Sequence, residues 1–263
     1  MAMDPFHFGP PERRMFAVYH PARGAVRGAV LVCPPLLHEH VRSYRFFSLL
    51  CERFAEAGLA CLRFDYYGTG DSGGEDADFS PDAAIGDIAA AAAELRRRTG
   101  DVPLALLAVR ASALLAAEAA PVIAADVLWL WLPVADGKTY VETLDEYYAH
   151  ELASPDRYPT RDGTAPRRAD DLMGFRLSSA FRPQLSARRL PATADALPPT
   201  VLVCAEDDDV AIDGAVRLRL PDAATQWTGE IDLRSLILVR DVEPTVQALL
   251  VDWPQPRGQV AHG

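Results

Sequence analysis

Leu104-Ala105-Leu106-Leu107-Ala108-Val109-Arg110-Ala111-Ser112-Ala113 reads as a strand that runs straight into a helix. Pro103 to Ala108 is a continuous apolar run, as a strand buried on both faces should be. Arg110 to Ala120 has helical composition, and Pro121 is predicted to stop it. At the join, Ala108 and Ser112 flank the apex residue as small neighbours. Small flanks let the backbone fold sharply and leave the apex side chain standing above the sheet. Where such a turn is catalytic its apex is a nucleophile, usually the serine of G-x-S-x-G. Here the apex is Arg110. A guanidinium stays protonated and has no lone pair with which to attack.

The pattern continues on both sides of this turn. Met15 to His20, Ala29 to Cys33 and Leu59 to Phe64 read as strands. Ser43 to Ala57 carries apolar residues at helical spacing and is closed by Gly58. Pro81 to Arg98 is an alanine-rich helix with Asp82 in its first turn and arginines in its last. Val127 to Leu132 and Val201 to Cys204 are further strands. Alternating strands and helices with short connections predict an α/β fold: a mainly parallel, twisted sheet flanked by helices. Sites in such sheets form at the carboxyl ends of the strands.

The rhythm breaks between residues 133 and 199, a stretch too long for an ordinary loop. It is expected to be an inserted lid on a core made of residues 1–132 and 200–253, with a flexible tail at 254–263. The last strand has two possible placements, Val216–Leu220 and Leu236–Val239. The first leaves what looks like too short a parallel crossover from Val201–Cys204.

A serine triad on this kind of turn runs nucleophile, acid, histidine, with the histidine after the last strand. The histidines are His7, His20, His38, His40, His150 and His262. None lies between 150 and 262, and His262 is in the tail, so the general base is missing as well as the serine. Asp208, in the acidic turn after Cys204, is the candidate for a surviving acid. Ser112 is expected to be a packing residue, with a displaced nucleophile as the alternative.

The chain resembles the α/β-hydrolase superfamily, in its serine aminopeptidase-like branch, and there the exosortase-associated hydrolases. The residues that carry the likeness are Phe8-Gly9-Pro10-Pro11, Val18-Tyr19-His20-Pro21, Cys33-Pro34-Pro35, Arg63-Phe64-Asp65-Tyr66, Gly68-Thr69-Gly70-Asp71-Ser72-Gly73 and the turn at Arg110. In the lid they are Trp131-Leu132-Pro133-Val134 and Gly174-Phe175-Arg176-Leu177-Ser178. The likeness covers most of the chain and fades in its last fifth. It implies an α/β-hydrolase fold and an oxyanion hole built from the N–H of Ala111 and a second donor near Leu36. Such donors can hold an anion or a carbonyl without a nucleophile.

Other motifs mislead. Gly70-Asp71-Ser72-Gly73-Gly74 spells the serine motif of trypsin-like proteases, but it follows a strand of an α/β alternation, where glycines serve a turn. No Gly-Lys-Ser/Thr follows it, which excludes a phosphate loop. His38-Glu39-His40 follows two prolines and is expected to be a polar loop at the pocket rim. It lacks a third convergent metal ligand. Glu39 is a plausible partner for Arg110. The aromatics Trp129, Trp131, Tyr140, Tyr147, Tyr148 and Trp227 belong either to an apolar pocket under the lid or to the core. Cys33, Cys51, Cys61 and Cys204 are expected to be buried free thiols.

A net charge of −11 argues against nucleic acid and against anionic membrane surfaces. No signal-like segment and no bilayer-length apolar run is visible, so the cytoplasm is the expected address. No cofactor is implied. The function expected is that of a pseudoenzyme: a non-hydrolytic ligand-binding or accessory biosynthetic protein with Arg110 projecting into its pocket. The ligand would be a small molecule or an acyl group, free or carrier-bound, held by Arg110, Leu36, His38, Glu39 and Ala111. The alternatives are an esterase, thioesterase, acyltransferase or peptidase with rearranged catalytic residues, or a subunit that uses its lid as an interface.

Overall fold

The computed structural model describes residues 3–154, 168, 170–221, 239–251 and 253. The strands are β1 (Asp4–Phe8), β2 (Met15–His20), β3 (Gly28–Cys33), β4 (Leu59–Phe64), β5 (Leu104–Val109), β6 (Val127–Trp131), β7 (Asp171–Leu172), β8 (Phe175–Arg176), β9 (Thr200–Cys204) and β10 (Val216–Arg219). The helices are α1 (Leu37–Glu56), α2 (Pro81–Thr99), α3 (Ser112–Val122), α4 (Gly137–Ala153), α5 (Phe181–Ser186) and α6 (Glu243–Val251).

One eight-stranded sheet runs in the order β1-β2-β4-β3-β5-β6-β9-β10. Only β2 opposes its neighbours, β1 and β4; the other pairings are parallel. Every residue of β3, β4, β5 and β6 is buried. This explains why they read as unbroken apolar runs rather than alternating ones. Alternation persists as a choice of face. Leu104, Leu106 and Ala108 of β5 pack with Ile88 of α2 and Leu115 of α3. Ala105, Leu107 and Val109 pack with Phe54 of α1 and Val246 of α6. Trp129 and Trp131 are core residues of this second face.

The structure corrects the reading of four segments. β1 was not anticipated: this edge strand is mostly exposed, and its apolar alternation is confined to Phe6-His7-Phe8. Helix α1 starts at Leu37, so His38-Glu39-His40 forms its first turn rather than a loop. Its amphipathic signal begins only at Ser43, and Leu36 supplies no side-chain cap that would mark the start. Pro121 lies inside the last turn of α3, which ends one residue later. The expected objection to a strand at Val216–Leu220 fails, since β10 pairs in parallel with β9. Both strands are short, so the connection climbs only about one strand length. It is pinned by Arg217, whose guanidinium donates to the carbonyls of Val210 and Asp208. The alternative placement, Leu236–Val239, lies outside the described residues except for Val239, and Trp227 and the tail lie outside them as well. The four cysteines are buried free thiols.

Candidate functional site

Three non-glycine residues with left-handed backbone stand at the carboxyl ends of three adjacent strands. Leu37 (φ 55°) follows β3, Arg110 (φ 53°) follows β5 and Leu132 (φ 45°) follows β6. Each such conformation costs about 1–3 kcal/mol, and this kind of strain gathers at functional or ligand-clamping sites. Arg110 is stitched in place through its backbone. Its N–H donates to Trp131 O (3.0 Å), and its carbonyl accepts from Ala113 (3.0 Å) and Val134 (3.2 Å). The turn therefore has the sharp geometry that its small flanking residues allow, with arginine at the apex.

The side chain closes onto the β6 end of the sheet. Arg110 Nε donates to Glu39 Oε1 at 3.0 Å, and Nη1 donates to Leu132 O at 3.1 Å. Glu39 Oε2 accepts from the Tyr140 hydroxyl of α4 at 2.8 Å. The Glu39 side chain is fully buried, and that of Arg110 is 21% exposed. Burial, reinforced by the Glu39 carboxylate, pushes the Tyr140 phenol well above its ordinary range, so it remains a donor. Glu39 lies in the first turn of α1, where the helix dipole favours a carboxylate.

The other candidates occupy distinct positions. Ser112 is fully buried; its hydroxyl donates to Pro34 O and accepts from the Tyr66 hydroxyl at 3.0 Å. It ties the turn after β3 to the start of α3. Asp208 follows β9, and its carboxylate accepts from Val210 N at 3.3 Å. Burial opposes the charge on Arg110, while Glu39, then Tyr140 and last Asp208 favour it, Asp208 without a hydrogen bond to it. Leu36 and Ala111 are buried residues that cap α1 and α3, respectively. His38 is 8% exposed, its ring is stacked on Tyr147 at 6.4 Å, and neither ring nitrogen has a partner among the described residues. Burial, then Arg42 and Arg110, push its pKa down to about 4.

Contacts between residues already named in the sequence, but not paired there, also shape the site. His40 Nε2 lies 3.0 Å from Asp65 Oδ1, at the end of β4. Ser72 donates to Asp65 O at 2.7 Å and accepts from Phe16 N at 2.8 Å, so it clasps a turn. Asp65 stood within the family-like Arg63-Phe64-Asp65-Tyr66, but nothing local announced a histidine partner 25 residues upstream. No group of three or more metal-binding side chains occurs among the described residues.

No family model matches the sequence, and no curated protein does either. Solved structures do. The α/β hydrolase GrgF from Penicillium sp. sh18 superposes with a TM-score of 0.62 at 14% identity, over 95% of this chain and 97% of that one. Est1E from Butyrivibrio proteoclasticus, solved with ferulic acid bound, gives 0.62 at 14%, over 94% and 98%. An α/β serine hydrolase without a lid from Xanthomonas campestris gives 0.55 at 14%, over 96% of each chain. This chain has the α/β-hydrolase fold. At such identities the α/β-hydrolase likeness is one of fold, and the chemistry has to be argued from the residues present. No helix among the described residues is long and apolar enough to cross a membrane.

Proposed function

We propose that this is a non-hydrolytic α/β-hydrolase-fold protein, a ligand-binding or accessory component rather than an acyl-transferring enzyme. One observation carries the proposal: the apex of the elbow is filled by Arg110, locked to buried Glu39 and to Leu132 O. The position that would present a nucleophile presents half of an ion pair. Ser112 is buried and already hydrogen-bonded, and no histidine follows β9 before residue 262.

The ion pair also refines how a ligand would meet Arg110. Glu39 neutralises the guanidinium, so a free anion gains less there than it would from an unpaired arginine. The backbone donors implied at Leu36 and Ala111 suit the carbonyl of a small molecule or of a free or carrier-bound acyl group. Residues 133–199 would act as the lid and the cytoplasm would be the working compartment.

The test is fluorophosphonate labelling of the intact protein followed by mass spectrometry, alongside a panel of p-nitrophenyl esters and acyl thioesters. No serine adduct and hydrolysis at the buffer background are expected. A stoichiometric adduct lost in Ser112→Ala would sink the proposal.

A further inference from the structure

A pocket beside the elbow has its own polar anchor. It offers about 60 Å³ of room and is walled by Leu36 and Leu37 after β3, Tyr66 and Phe79 of the β4–α2 connection, and Phe175 and Leu177 before α5. Arg110 does not line it; His40 does. The His40 and Asp65 side chains are 12% and 4% exposed, so the hydrogen-bonded pair is largely shielded from water. The other Asp65 oxygen accepts from Asp71 N at 2.9 Å.

The tautomer follows from this arrangement. A carboxylate only accepts hydrogen bonds, so His40 Nε2 carries the proton that lies between the two groups. In a neutral imidazole the remaining nitrogen, Nδ1, then bears a lone pair. It has no hydrogen-bond partner among the described residues. In that tautomer His40 places an acceptor in a mostly apolar wall. Asp65 behind the ring and Asp76 in the lining repel an anionic ligand. An ammonium would have to shed its water against mostly apolar walls. The room available is well under the ~150 Å³ of an apolar cavity that takes benzene.

We propose that this pocket binds the end of a neutral, short aliphatic ligand through a hydroxyl that donates to His40 Nδ1, with Asp65 fixing the ring. The site stands apart from the reading of Arg110, so either can fail alone.

The experiment is histidine-ring NMR on the full chain labelled with ¹⁵N-histidine, with 1-butanol as the probe. A saturable shift of the His40 Nδ1 resonance is expected, with sodium butyrate and phenol binding at least tenfold more weakly. Val41, at the pocket, is 69% exposed, so Val41→Trp can obstruct the mouth without disturbing the core. It should weaken 1-butanol at least tenfold. In His40→Phe, saturable binding read at the Thr69 amide should disappear. The proposal is overturned by a His40 resonance that does not respond, by undiminished binding in Val41→Trp or His40→Phe, or by butyrate or phenol binding as well as 1-butanol.

Discussion

Arg110 holds two unfavourable features together: a left-handed backbone and a partly buried charge. Removing its guanidinium leaves Glu39 buried and uncompensated, with the Tyr140 hydroxyl as its remaining side-chain partner among the described residues. Breaking a buried pair from one side costs about 3–5 kcal/mol. Because Arg110 retains 21% exposure, Arg110→Met should fall near the lower end, about 3 kcal/mol, in urea unfolding. The double variant Arg110→Met/Glu39→Leu should recover most of that loss, because the orphaned charge goes as well. Equal losses in the single and double variants would show that the ion pair does not hold the turn.

At the scale of elements, two glycines separate backbone need from helix propensity. Gly70, in the turn between β4 and α2, has φ 55°, and a Cβ there would lie 2.3 Å from Asp65 Oδ2. Gly70→Ala should therefore cost about 1–3 kcal/mol in backbone strain and push Asp65 away from His40. Gly86, inside α2, has nothing within 4 Å of a built Cβ. Gly86→Ala should stabilise by about 0.5–1 kcal/mol, through helix propensity alone. Thermal unfolding of the two variants should move in opposite directions; a shared direction would refute the placement of the turn. The turn also joins sheet to site, since Asp65 receives the Asp71 N–H and the His40 ring together.

Over the whole molecule, acid stability should be governed in part by two buried rings. Burial, then Arg63, hold His20 at a pKa of about 4; burial, then Arg42 and Arg110, hold His38 at about 4. Both folded values lie below the ordinary 6.5, so the unfolded chain binds more protons between the two. The stabilisation is fully present above pH 6.5 and is lost as pH falls towards 4. It amounts to about 3 kcal/mol per ring, an order-of-magnitude figure. Urea midpoints measured from pH 8 to pH 4 should fall along this limb. His38→Gln should flatten it by about one proton, and an unchanged slope would refute the assignment.

The sequence by itself determined the sheet and its turn. Runs such as Leu104–Val109 are apolar throughout because parallel central strands are covered on both faces, and that demand is written residue by residue. The small flanks of Arg110 and the missing late histidine were equally legible, because both are facts of residue type and order. Edge and cap features were not. β1 carries little apolar signal, α1 begins without a capping side chain, and β10 closes a crossover shorter than usual. Glu39 could be named from the sequence as a partner for Arg110, because both were placed at one end of the sheet, but the Tyr140 contact and the pairing of His40 with Asp65 came only from tertiary structure. Glu39 meets Arg110 from 71 residues away, and Tyr140 meets Glu39 from 101. No local pattern encodes such pairings, because they arise when separate strands end at one edge of a sheet. Arg110, read in the sequence as the apex residue of the turn, is in three dimensions half of an ion pair that ties the elbow to the start of α1.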